Sequence, residues 1–115
     1  MIVHITQDLM MSSNASSAAR DKGVKFRFIK TIDRALELID ENEVSHLLID
    51  LQTPGLDTGE LKEKLDTLDP SKRPRMLAYA QHVETELLGK AADAGLDAVM
   101  TRGQFHHNLK ELINS

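Results

Sequence analysis

Apolar residues along this chain occur in short runs, and two of these runs lead into acidic residues. Residues 2–6 form a mostly β-branched run followed by Gln7 and Asp8, and residues 47–49 form an unbroken apolar run that ends in Asp50. Short continuous apolar runs are typical of strands that are buried on both faces of a sheet. We therefore predict two strands, with Asp8 and Asp50 at or just beyond their carboxyl ends.

A helix is predicted after Thr31, because apolar residues recur there at helical spacing and Thr31 is suited to cap the first turn. The same spacing predicts four other helices, over residues 10–22, 61–68, 84–94 and 105–113. The cap candidates for the first of these are Ser12, Ser13 and Asn14. Gly23 and Gly95 follow two of the helices, where a left-handed C-terminal residue is expected.

A different pattern marks the segment between the first two helices. Val24, Phe26 and Phe28 alternate there with Lys25 and Arg27. Strict alternation is typical of a strand with one wet face, and basic residues often guard an exposed sheet edge. We predict that this segment is an edge strand.

The predicted elements alternate strand and helix along the chain. The strands fall over residues 2–6, 24–28, 44–51, 76–80 and 96–101. Such alternation implies parallel strands joined by right-handed crossovers, with helices on both faces of the sheet. We therefore predict an α/β fold of the flavodoxin-like, doubly wound type, whose five-stranded parallel sheet has the order 2-1-3-4-5.

Composition narrows the class of protein. The 115 residues are enough for one domain with a core, so we expect a single domain over residues 1–115. The net charge of -4 argues against nucleic acid as a partner, and the lack of Cys excludes disulfides and thiolate chemistry. No apolar run approaches a membrane span and no signal-peptide pattern is present, so we expect a cytoplasmic protein with no membrane partner.

The predicted sheet brings the two acidic residues together. Ligands of open α/β sheets bind beyond the carboxyl ends of the strands at the topological switch, here between the first and third strands. Asp8 and Asp50 follow those strands, and Arg102 follows the fifth. Two close carboxylates repel or share a cation such as Mg²⁺, and with Arg102 they would suit phosphoryl transfer onto Asp50. The alternative is an ion pair between Arg102 and Asp50 with no metal.

Residues 48–57, which read Leu-Ile-Asp-Leu-Gln-Thr-Pro-Gly-Leu-Asp, resemble the phosphoacceptor strand and following loop of bacterial response-regulator receiver domains. The resemblance spans essentially the whole chain, and residues 91–95 with the strand after them are similar to the fourth helix and fifth strand of that family. The resemblance implies that Asp50 accepts a phosphoryl group from a histidine kinase or phosphotransfer protein. It also implies Mg²⁺ held by Asp50, Asp8 and the main-chain carbonyl of Gln52.

Several positions depart from the family pattern. Gln7 replaces the first acid of a pair, which leaves Asp8 alone and should weaken Mg²⁺ binding. Tyr79 stands where a Ser or Thr binds the phosphoryl group, and its ring is long enough to cover the pocket. Arg102 replaces the family's Lys, and its planar fork can hold a carboxylate without phosphate. Val99 replaces the aromatic switch residue of the fifth strand.

Two functions follow from this pattern. One is a phosphorylatable receiver in a two-component phosphorelay, with Asp50 as nucleophile and Arg102 stabilising the acyl phosphate. The other is a pseudo-receiver that presents its fourth helix, fifth strand and fifth helix to a partner, or to a second copy in a homodimer, without phosphate control. An enzyme is not favoured, because the chain has no Gly-rich phosphate loop, catalytic Cys or nucleophile elbow. The sequence names neither kinase nor output, and Ser115 ends either a stand-alone receiver or a piece of a longer protein.

The histidines are expected to play structural roles. His4 lies in the first predicted strand, where a hydrogen-bonded core histidine is expected rather than a phosphodonor. His106 and His107 begin the last predicted helix, and adjacent residues do not share a helix face. We expect both of them to face solvent.

Overall fold

The computed structural model describes residues 1–115, which alternate between strands and helices. The strands are β1 (Ile2–Ile5), β2 (Phe26–Ile29), β3 (His46–Asp50), β4 (Arg75–Ala80) and β5 (Ala98–Thr101). The helices are α1 (Leu9–Lys22), α2 (Ile32–Glu41), α3 (Thr58–Leu65), α4 (Thr85–Asp93), α5 (Arg102–His107) and α6 (Leu109–Ile113), with a 3₁₀ turn at Pro70–Lys72. None of these helices has the length and apolar character that crossing a membrane requires.

The five strands form one parallel sheet in the order β2-β1-β3-β4-β5. This order confirms the predicted fold, and β2 is the edge strand that its alternating sequence indicated. The order also places β1 beside β3, in a register that pairs Ile5 with Ile49. The carboxyl ends of these two strands, and the acidic residues that follow them, therefore meet at one edge of the sheet.

Aliphatic side chains cover both faces of the sheet. One face packs against α2, α3 and α4, through residues such as Ile39, Leu61 and Ala91. The other face packs against α1, α5 and α6, through residues such as Ala15 and Phe105. All five residues of β3 are buried, as expected for a central strand that is covered on both sides.

The first helix begins earlier than its serines suggested. Asp8, rather than Ser12 or Ser13, is the N-cap of α1, and its Oδ1 accepts a 3.0 Å hydrogen bond from the Met11 N–H. Ser12 lies inside the first turn, where its hydroxyl donates to the Leu9 carbonyl. The predicted caps, Ser12, Ser13 and Asn14, are therefore wrong, because an acidic residue directly before the helix accepts the first-turn hydrogen bond at its positive end.

The single closing helix predicted over residues 105–113 is interrupted at Asn108. Both the main-chain N–H and the side-chain Nδ2 of Asn108 donate to the Gln104 carbonyl at 3.0 Å. The backbone then leaves helical geometry at Asn108, with φ -102° and ψ 12°, and this residue separates α5 from α6. The apolar stripe survives the interruption, because Phe105, Leu109 and Ile113 are all buried.

Left-handed residues end two of the helices as predicted. Gly23 follows α1 with φ 75°, and Gly95 follows α4 with φ 76°. A side chain at either position would be strained because L-residues rarely adopt positive φ. These turns lead the chain back toward β2 and β5.

Replacing Leu47 by Ala should lower the free energy of unfolding by about 2–5 kcal/mol, because a fully buried β3 side chain would leave a cavity. The matched control is Val83→Ala, whose side chain is exposed and whose loss should cost less than about 0.5 kcal/mol. Urea unfolding followed by circular dichroism measures both values. Equal losses in the two variants would contradict this description of the core.

Candidate functional site

Asp8 makes two interactions at the carboxyl edge of the sheet. Its Oδ1 caps α1 through Met11, and its Oδ2 accepts a hydrogen bond from Arg102 in an ion pair. The Met11 N–H and the Arg102 guanidinium both favour the ionised form, so they hold the pKa of Asp8 below its usual range. Asp8 is therefore a paired carboxylate in this structure.

Arg102 is the first residue of α5 and lies beside the α1 N-terminus. A capping box formed by Thr101 and Gln104 fixes the start of this helix and so aims the Arg102 side chain. A cation is unfavourable in the first turn of a helix, where the backbone dipole is positive. Asp8 relieves this conflict by supplying the opposite charge.

Asp50, at the end of β3, has no ion-pair partner. Asp50 is only 6% exposed, and its Oδ1 accepts a 3.0 Å hydrogen bond from the Gln52 N–H. The ion pair between Arg102 and Asp50, which the sequence offered as the alternative to a metal site, does not form, because Arg102 pairs with Asp8 instead. A nearly buried carboxylate needs hydrogen-bond donors when it lacks a counter-ion, and Asp50 obtains them from the Gln52 N–H and from the Thr6 hydroxyl.

Thr6 links the two acidic residues. Its hydroxyl donates to Asp50 Oδ2 at 2.8 Å and accepts from the Asp8 N–H at 3.0 Å. The sequence prediction missed this residue, although the β1–β3 register contains the signal. Because Ile5 pairs with Ile49, the next position along β1 falls opposite Asp50.

The predicted site residue Gln52 reaches this edge through its main chain. Its N–H contacts Asp50, while its side-chain Oε1 accepts a 2.8 Å bond from the Gln81 N–H beyond β4. Gln52 therefore ties the loop after β3 to the loop after β4. Gln7, which precedes Asp8, is exposed and takes no part in these bonds.

Tyr79 lies in the core and does not cover the pocket as predicted. It is 1% exposed, and its ring stacks on Phe105 with centroids 4.1 Å apart. A 2.7 Å hydrogen bond joins its hydroxyl to His4 Nε2. The ring turns inward because the space between the sheet and α5 is apolar and fits an aromatic stack.

His4 is a buried, hydrogen-bonded core histidine, as predicted. Burial lowers its pKa to about 3, although the negative charge of Asp8 acts in the opposite direction. Burial, followed by the negative charge of Asp50, raises the pKa of Tyr79. Both members of the pair are therefore neutral near pH 7. His106 and His107 are exposed, which also agrees with the sequence.

The ion pair limits how this edge could hold Mg²⁺. No three His, Cys, Asp or Glu side chains are grouped to hold a metal ion, so Mg²⁺ at this edge would depend on Asp8, Asp50, main-chain oxygen and water. One of the two carboxylates, Asp8, already carries the Arg102 charge. A divalent cation would have to displace or share that guanidinium, and the two cations repel each other.

The fold that these elements and this edge define is that of response-regulator receiver domains. A signal receiver domain of a response regulator from Bermanella marisrubri superposes with a TM-score of 0.81 at 17% identity, over 98% of this chain and 93% of that chain. A CheY-like receiver domain from Methanospirillum hungatei superposes with a TM-score of 0.73 at 16% identity, over 98% and 92% of the two chains.

A third structure of this fold contains a metal ion. It is the receiver domain of the sensor histidine kinase PA1611 from Pseudomonas aeruginosa, with magnesium coordinated in its active-site cleft. Its TM-score is 0.79 at 12% identity, over 98% of this chain and 93% of that chain. No family model matches the chain, and no curated protein matches its sequence. The structural likeness therefore establishes the fold.

Replacing Thr6 by Val should lower the free energy of unfolding by about 1–3 kcal/mol, because Asp50 Oδ2 would lose its hydroxyl donor while remaining nearly buried. Thr6→Ser keeps the hydroxyl and is the matched control, with a smaller loss expected. Urea unfolding at pH 7 measures both. An equal or larger loss in Thr6→Ser would show that the methyl group, rather than the hydroxyl, matters at this position.

Stability should fall between pH 7 and pH 5, because the unfolded chain protonates His4 near pH 6.5 whereas folded His4 resists protonation down to about pH 3. For His4 alone, the loss in unfolding free energy is about 2 kcal/mol. Urea titrations at both pH values measure this loss.

The control variant is His4→Gln, which should remove most of the pH dependence. His46, whose pKa burial also lowers, accounts for part of what remains. An unchanged pH dependence in His4→Gln would contradict the role assigned to His4.

Proposed function

We propose that this chain is a receiver-type signalling domain that acts as a protein-interaction module without control by phosphorylation, rather than as an enzyme. In this proposal the ion pair between Asp8 and Arg102 takes the place that a metal ion and a phosphoryl group would occupy. The module then has one resting arrangement at the carboxyl edge of its sheet. A partner protein reads that arrangement directly.

One observation carries the proposal: every carboxylate oxygen of the site already has a protein donor. Met11 and Arg102 supply the donors for Asp8, and Gln52 and Thr6 supply those for Asp50. A divalent cation that bound Asp8 would have to displace or share the Arg102 guanidinium, because that guanidinium already neutralises the carboxylate. The hydrogen bonds of the site thus form with neither metal nor phosphate.

The expected partner surface lies beside Arg102. A groove of about 490 Å³ is lined by residues 81–83 and 101–103, so it borders the ion pair. Val83 in this groove is one of few exposed large apolar side chains, and all four β5 residues are only half-buried. These features support binding of a partner, or of a second copy in a homodimer, across α4, β5 and α5.

A second candidate function is phosphorylation of Asp50 by a histidine kinase or phosphotransfer protein. It is favoured by the fact that Asp50, unlike Asp8, has no cationic partner. In this reaction an Asp50 oxygen would bond to phosphorus as the bond to the donor nitrogen breaks. Asp8, Asp50 and the main-chain carbonyl of Gln52 would hold Mg²⁺, and Arg102 would have to leave Asp8.

A titration with beryllofluoride, a phosphoryl mimic, tests the two functions. The full chain is followed by amide NMR with and without Mg²⁺, and Asp50→Ala is the control. The proposal expects no Mg²⁺-dependent shifts near Asp50, because Arg102 competes for Asp8. Shifts that require Mg²⁺ and vanish in Asp50→Ala would overturn it and support the second candidate.

A variant designed to gain the Mg²⁺-dependent response to beryllofluoride provides the positive control. The double variant Gln7→Asp with Arg102→Lys adds one carboxylate and replaces the planar guanidinium that pairs with Asp8 by a point charge. Both positions are at least partly exposed, so the fold should tolerate these changes. We expect this variant to show Mg²⁺-dependent shifts at saturating beryllofluoride where the native chain shows none.

A further inference from the structure

The edge of the sheet formed by β2 has a surface distinct from the groove beside Arg102. In the strand order, β2 and β5 lie at opposite edges of the sheet. A groove of about 510 Å³ runs between this edge and α1. Its lining residues are Leu9, Ser12, Phe26, Arg27, Phe28 and Arg20, together with two further serines of α1. None of the lining residues is acidic. We call this surface the β2 groove.

The backbone of β2 has unused hydrogen-bonding groups along this edge. The Ile2 N–H donates to the Lys25 carbonyl and the Thr6 N–H to the Ile29 carbonyl, so odd-numbered residues of this segment face β1. In a parallel ladder the intervening residues face the other way. The N–H and C=O groups of Phe26 and Phe28 therefore point outward and can pair with another extended chain.

Apolar exposure is concentrated beside this edge. The chain has four exposed large apolar side chains, and three of them, Leu9, Met10 and Phe28, belong to β2 or to the start of α1. Leu9 is 70% exposed and Phe28 is 44% exposed, and both line the β2 groove. Large apolar side chains that cluster at an unpaired edge are typical of a binding surface.

Charge decides what kind of chain fits the edge. Lys25 and Arg27 alternate with the two Phe residues of β2, and Arg20 lies across the groove, although the whole chain has a net charge of -4. A second copy pairing through β2 would bring these bases close to one another, and like charges between paired strands are destabilising. Acidic side chains at alternate positions would instead meet the bases.

We propose that the β2 groove binds an extended segment of a partner protein in which acidic residues alternate with apolar ones. The segment adds a strand to the sheet beside β2. Its apolar side chains lie beside Phe26 and Phe28, and its acidic side chains lie beside Lys25 and Arg27. This inference names a class of partner, and it rests on the proposed function of the chain as a protein-interaction module.

The test uses a synthetic peptide of about six residues, the usual length of a strand, in which Glu alternates with Val. It is titrated into the isotopically labelled full chain and followed by amide NMR. We expect saturable shifts in β2, β1 and the first turn of α1, and weaker binding at high salt. A control peptide with Lys in place of Glu should bind at least about fivefold more weakly.

Two variants identify the edge as the binding site. Arg27→Glu should weaken the Glu peptide by about fivefold or more and strengthen the Lys peptide, whereas Lys62→Glu on α3 is the matched charge control and should change neither. Phe28→Pro removes an outward N–H and should abolish binding without breaking the ladder to β1. Arg27→Glu retains the backbone edge, so the test does not depend on how well Phe28→Pro folds.

In the peptide titration, the inference would be overturned by no binding, by equal binding of both peptides, or by shifts that Arg27→Glu leaves unchanged. Shifts in β2 that appear on concentrating the chain alone would identify a second copy as the occupant and would also overturn it. These failures are distinct from failure of the proposed function. The beryllofluoride titration reports on amide shifts near Asp50, whereas the peptide titration reports on amide shifts in β2.

Discussion

The ion pair between Asp8 and Arg102 is the contact on which the arrangement of the site depends. It joins the first turns of α1 and α5, which both present positive dipole ends to the same edge of the sheet. Asp8 interacts with both helix N-termini, as the N-cap of α1 and as the counter-ion of Arg102 in α5. The two side chains are partly exposed, so the pair itself contributes at most about 1 kcal/mol. The contact therefore sets the resting geometry of this edge by where it places Arg102 rather than by a large contribution to stability.

Burial explains why the two carboxylates differ in their partners. Asp50 lies deep at the end of β3, where its donors are the Thr6 hydroxyl and a backbone N–H. Asp8 lies further out, within reach of a long side chain that rises from α5. Bringing a guanidinium down to Asp50 would remove its charge from water, and the cost of that step can exceed the Coulombic gain. The charge therefore remains at the outer carboxylate, and hydrogen bonds satisfy the inner one.

Topology was predictable from the sequence, whereas the choice of partners was not. Alternating apolar runs and helical spacings predicted the strand order, and the strand order alone brings Asp8, Asp50 and Arg102 to one edge. The sequence does not distinguish the two acidic residues at that edge. They differ in how far each side chain projects from the sheet, and the strand order does not predict that distance. The inward turn of Tyr79 depends on the space left by Phe105, which no pattern along the chain encodes.

The two open edges of the sheet differ in charge. The β5 residues carry no charge and are only half-buried, so a partner that contacts them meets a neutral surface. At β2 the edge is basic, because Lys25 and Arg27 repel an approaching basic strand while the Phe28 ring stays exposed. Repulsion of this kind disfavours a second copy of the same strand but not an acidic one. In the proposed interaction, the alternation that disfavours self-association of β2 therefore also sets the charge of the chain that this edge would accept.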